Sequence, residues 1–148
     1  MPIKTFRGLM ADGTQDTIVL HTNNGSVGYR IVKFQLFPEL PGTASIESTC
    51  SIYKIKQAEP VSVLTATVDF SNNTLLAASF FSINAGAPSN PINITTVFDN
   101  EIFNQDIYVT HTNTDGSGNV NYYLELEQVK LDLNENTVAT LKDIRNLS

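Results

Sequence analysis

Two histidines, His21 and His111, each sit in a His-Thr-Asn triplet that closes a short apolar run and opens a polar loop. The two phrases are TIVLHTNNGSVGYRIVKF, Thr17 to Phe34, and IYVTHTNTDGSGNVNYYLEL, Ile107 to Leu126. Matched imidazoles suggest a shared metal site, with Asn23, Asn113 and Asp115 as the nearest further ligands. Two imidazoles make half a site, because catalytic zinc normally takes three protein ligands. Topology sets whether they can meet. If the strand at 3–9 opens an eight-strand jelly roll, the loops after His21 and His111 lie at opposite ends of the sandwich. If that strand is an outlying arm, the loops share an end. The plainer role of each triplet is to end a strand, its side chains bonding the turn backbone.

Three other groupings invite chemistry. Asn113-Thr114-Asp115-Gly116-Ser117-Gly118 has the first half of a calcium loop, but the twelfth position is Leu124 where a glutamate would close the cage. The pairs Asp12 and Asp16, Asp99 and Glu101, and Glu125 and Glu127 suggest a glycosidase. Alternation places Glu125 and Glu127 opposite Leu124 and Leu126, on a solvated face, and the expectation is no enzyme. Tyr29, Tyr108, Tyr122 and Tyr123 could stack on sugar rings, with Asn113 and Asp115 supplying hydrogen bonds. Cys50, the one cysteine, lies between Thr49 and Ser51 with no His or Asp at a useful spacing; it reads as a small core residue. No cofactor or metal is expected.

The elements that would carry these residues read as strands. Thr, Val, Ile, Tyr and Phe are plentiful, and turn residues recur at short intervals. Strands are expected near 3–9, 15–22, 27–37, 45–57, 62–70, 75–84, 92–98, 105–112 and 120–133. The two repeated phrases carry a β-hairpin signature. The expected fold is all-β, an antiparallel β-sandwich of jelly-roll type over residues 1–133, followed by a short helix or arm over 134–148.

Two strands change phase. Leu124 and Leu126 face one way, while Val129, Leu131 and Leu133 face the other; this requires a bulge near Glu127-Gln128 or a passage between two packing environments. The strand at 45–57 switches likewise, from Ile46, Cys50 and Ile52 to Tyr53 and Ile55. Beyond Leu133, Val138, Leu141 and Ile144 recur at helical spacing, an apolar stripe that needs a surface, either its own sandwich or a neighbouring subunit.

The chain has 148 residues and a formal net charge of −6 from nine basic and fifteen acidic residues. That charge, with scattered Lys and Arg, argues against a nucleic-acid partner. MPIKTFRGLM lacks the apolar run of a secretory signal, and no stretch approaches a membrane span, so no membrane partner is expected.

The runs ADGTQDTIVLHTNNGSVGYRIVKF, Asp99 to Thr112 and LELEQVKLDLNENTVATLKDIRN resemble small virion structural proteins of marine tailed bacteriophages. The resemblance covers more than half of the chain and carries no catalytic motif. It implies a head decoration or cement subunit, made in the host cytoplasm and working in the virion. Its partners would be further copies of itself, a trimer being favoured, and a major capsid or tail protein. The subunit contact would fall on Val138, Leu141 and Ile144. The alternative is a carbohydrate- or receptor-binding module of a tail or fibre, using Tyr122, Tyr123, Asn113 and Asp115.

Overall fold

The computed structural model describes residues 2–22, 25–39, 46–57, 68–83, 93–115 and 118–131, all of them strand, turn or loop. Eight strands form: β1 (Ile3–Met10), β2 (Thr14–Ile18), β3 (Val27–Pro38), β4 (Ile46–Tyr53), β5 (Leu75–Ile83), β6 (Asn93–Phe98), β7 (Ile107–Asp115) and β8 (Val120–Lys130). They make two antiparallel sheets, three-stranded β1-β8-β3 and five-stranded β2-β7-β4-β5-β6, which pack face to face as a β-sandwich. Of the strand expected at 62–70, residues 62–67 lie outside the described residues, and 68–70 lead into a turn. The C-terminal segment 134–148, with Val138, Leu141 and Ile144, also lies outside them.

The strand order is that of a chain doubled back about its middle. β4 pairs with β5, β2 with β7, and β1 with β8. The β3–β6 pair that this nesting calls for is not made; past the end of β6, Phe103 forms an isolated bridge with Tyr29 of β3, the two exchanging both backbone hydrogen bonds at 2.8 and 2.9 Å. β6 has instead continued the five-stranded sheet beside β5.

Neither repeated phrase is a hairpin. β2 and β3 belong to different sheets, and so do β7 and β8. Gly and Asn residues permit a reversal of direction, but they do not state whether the chain returns within a sheet or across the sandwich. Here each loop crosses between layers, because each flanking strand finds a better partner from a distant part of the chain.

Alternation holds in both sheets and builds the core between them. From the three-stranded sheet come Met10, Ile31, Phe34, Leu36, Val120, Leu124 and Leu126; from the other come Ile18, Cys50, Ile52, Phe81, Ile107 and Val109. Phe34, Phe81 and Leu124 are essentially inaccessible to solvent, and each such side chain contributes roughly 1.5–3 kcal/mol by leaving water. A bulge between Ile31 and Lys33 returns β3 to phase, so Val32 is the extra residue and Ile31 takes the inward position.

Of the two alternatives for β8, no bulge falls at Glu127-Gln128, where the strand pairs continuously with β3, Glu127 opposite Arg30 and Gln128 opposite Tyr29. The phase change is a passage between packing environments. Leu124 and Leu126 face the inter-sheet core, whereas Leu131 packs at the opposite side of β3, over Gly28. A Cβ at Gly28 would stand 2.9 Å from Ile102 and 3.1 Å from Leu131, so glycine is what lets them approach. In β4 the switch is absorbed by a register shift between Ile52 and Tyr53, with Leu76 as the extra residue on β5.

Candidate functional site

The two histidines part company. The loop after His21 lies by the end of β8, where Leu131 N donates to Ser26 O; the loop after His111 lies by the start of β8, where Asn119 meets Glu39. They are at opposite ends of the sandwich, and no shared metal site exists. Among the described residues no group of three or more His, Cys, Asp or Glu is placed to hold a metal ion.

His21 is exposed and donates from Nδ1 to Asp106 Oδ1 at 2.7 Å; the same oxygen accepts from Leu20 N at 2.9 Å and His21 N at 3.1 Å. Partial burial acts to raise the Asp106 carboxyl, but these three donors hold it below the usual carboxylate range. The unit is a clip that ties the end of β2 to the start of β7.

His111 is wholly buried, flanked by Thr14 on β2 and Cys50 on β4. Nδ1 is 3.1 Å from Ala11 O, a carbonyl that can only accept, so the proton belongs on Nδ1. Nε2 is 3.2 Å from Ser48 Oγ, whose hydroxyl also faces Asn113 Oδ1, while Asn113 Nδ2 donates to Gly118 O at 2.8 Å. Desolvation lowers the imidazole pKa, against the opposing pull of Ala11 O and the Asp12 carboxylate. Asn113 is thereby committed to this interior chain, and Asp12 accepts from its backbone N at 2.8 Å. The Asp115 backbone ends β7 opposite Glu47. Neither the calcium reading nor a sugar-binding loop has a free Asn113 to use.

The fold also makes a juxtaposition that no spacing in the chain reveals. Cys50 lies beside His111 across two strands, with Asp16 near enough to act on the thiol. Cysteine, histidine and aspartate suggest a nucleophile, but the geometry opposes it. Cys50 is inaccessible, burial and then Asp16 push its thiol well above the ordinary range, and both ring nitrogens of His111 face other partners. The cluster is a satisfied polar seam in the core.

Tyr122 and Tyr123, adjacent in sequence, face opposite ways. Tyr122 is buried with its hydroxyl on the Asp16 carboxylate; desolvation and then that carboxylate raise its pKa far above the ordinary value. A surface contact by Tyr122 is therefore corrected: its ring belongs to the core. Tyr123 stands on the outer face of β1-β8-β3, where cross-strand rows run Arg7–Tyr123–Gln35 and Leu9–Asn121–Phe37. These residues line a groove of about 590 Å³. Further along this face Glu125 lies 3.9 Å from Lys33 and Glu127 lies 2.9 Å from Arg30; the outward face was read from alternation, and the ion pairs on it are added by the cross-strand register. The Lys33 ammonium is also 5.7 Å from the Tyr123 ring centroid. Partial desolvation and Glu125 raise the Tyr123 phenol pKa, and Arg7 acts the other way.

A second open surface lies on the outside of the five-stranded sheet. Val68, Phe70 and Val97 are exposed there, Phe70 to 71%, beside a groove of about 470 Å³ floored by Thr49, Ala78 and Phe80; Phe98, next to Val97 on β6 and also exposed, faces the other way and meets Phe70 at the strand's edge. β6 is the edge strand there. The buried pair Lys54–Glu101, at 2.6 Å, neutralises a lysine that is almost wholly inaccessible.

No protein-family model matches the chain, and a search of curated proteins finds no match.

Proposed function

We propose that this protein is a structural subunit of a virion, a head decoration protein that acts by protein–protein assembly and performs no catalysis. The observation that carries the reading is the apolar surface formed by Val68, Phe70, Val97 and Phe98 around the β6 edge. Contiguous exposed apolar side chains beside a strand edge that has no partner among the described residues are expensive to leave in water and suit burial against a neighbouring subunit. The nested strand order, β4 with β5, β2 with β7 and β1 with β8, supports a jelly-roll assignment of the kind used for shell proteins. The inaccessible Cys50 and His111 support a role without chemistry. Closed symmetric association, with a trimer favoured from the virion resemblance, would cover the apolar edge in each copy.

Sedimentation velocity tests the assembly. The native chain should sediment as a homo-oligomer and bind the particle shell, and Phe70→Glu should release monomer with an unchanged melting temperature. A native chain that is monomeric and absent from purified particles would remove the assignment.

A further inference from the structure

The outer face of β1-β8-β3 holds one charge that its own rows do not match. Glu127 is answered by Arg30 and Glu125 by Lys33, in consecutive rows. In the next row Arg7 lies exposed beside Tyr123 and Gln35, and among the described residues it has no carboxylate partner. Around it the groove offers an aromatic ring (Tyr123), two amides (Gln35 and Asn121), and the apolar borders Leu9 and Phe37, which are 51% and 64% exposed. Strand spacing makes this patch roughly 10 Å across and 7 Å along the strands. An arginine fork addresses a carboxylate, an aromatic face covers the C–H side of a pyranose, and side-chain amides answer ring hydroxyls. A bare apolar surface would want a protein partner, but this one mixes an exposed arginine with donors and acceptors.

We infer that this groove binds an acidic saccharide, a sugar bearing a carboxylate, with Arg7 on the carboxylate, Tyr123 under the ring, and Gln35 and Asn121 on the hydroxyls. The site is independent of the virion assignment and lies on the sheet opposite the apolar β6 edge. On a chain of net charge −6 it is a local exception, so the contact should be short-ranged and weakened by salt.

Isothermal titration of the full chain with tetragalacturonate and with 3′-sialyllactose tests it, using the methyl ester and lactose as uncharged counterparts. At least one acidic sugar should bind, its uncharged counterpart about tenfold more weakly, and Arg7→Gln and Tyr123→Ala should each cost about tenfold. Both residues lie on an outer face, so unchanged melting temperatures should accompany the loss. Four results would overturn the inference: neither acidic sugar binds; the uncharged counterparts bind equally well; the substitutions leave binding intact; or a hexaglutamate peptide binds as tightly. If the substitutions change the sedimenting mass while neither sugar binds, the face is a subunit contact and the proposal fails.

Discussion

The two His-Thr-Asn corners carry the same residues to opposite ends. At the first, His21 lies past the end of β2, keeps its ring in solvent and clips itself to Asp106. At the second, His111 lies within β7, flanked by β2 and β4, and its ring is sealed against Ala11, Ser48 and Cys50. The triplet is identical; the number of strands beside it differs. An imidazole with a strand on each side loses its water and must find every partner in the protein, whereas one beyond a strand end keeps water as a partner.

The comparison is broken most sharply at His111. Replacing it with alanine leaves a cavity and strips Ala11 O and Ser48 Oγ of a partner, a loss expected near 3 kcal/mol. Chemical denaturation should show this as a lower midpoint with an unchanged slope; a change under about 1 kcal/mol would mean that the seam is not the structural element described here.

Acid should discriminate the corners next. The folded His111 pKa lies below its unfolded value near 6.5, so the folded state binds fewer protons than the unfolded one as pH falls below that value. Stability present above pH 6.5 should therefore decline on acidification, by at most about 1.4 kcal/mol per pH unit, until the folded pKa is passed. Denaturation midpoints measured from neutrality to pH 5 should fall in the native chain and flatten in His111→Phe. An equal slope in both would place the proton elsewhere. Protonation would give Nε2 a hydrogen to donate to Ser48 and free the Ser48 proton for Asn113, so the bonding favours the charge; desolvation opposes it and wins.

The smallest effects belong to the open corner. Asp106→Ala removes the acceptor of three donors and should cost about 1 kcal/mol, while His21→Ala, at an exposed pair, should cost under about 0.5 kcal/mol. Thermal melts of the two variants should keep that order. If His21→Ala proves the more damaging, the imidazole and not the backbone clip would be what secures the corner.

Much of the fold was legible along the chain. The eight strands lie close to where alternation and breakers put them, although β7 runs on past 112 to Asp115. The outward face of Glu125 and Glu127 followed from their phase against Leu124 and Leu126, while their ion pairs with Lys33 and Arg30 did not. The hairpins were misread because turn residues report only that a chain reverses. The bulge belonged to Val32 and not to β8, since either strand of a pair can take the extra residue and only the partner's register decides which. Of the candidate sugar contacts, Tyr123 kept its place on a surface, and Tyr122 could not share it, because consecutive strand residues point to opposite faces. Arg7, Gln35 and Asn121 went unnoticed because they come from three strands far apart in sequence.

What the sequence determined by itself is local: a β chain, its breakers, and which residues along each strand share a face, because a two-residue period is written into neighbouring positions. Which face meets which was decided only by tertiary structure. Strand partners lie up to some hundred residues apart, as Ile3 and Glu127 do, and their choice follows from how a whole set of apolar faces can be buried together. That choice enclosed His111, left His21 open, hid Cys50 and gathered Arg7, Tyr123, Gln35 and Asn121 onto one face.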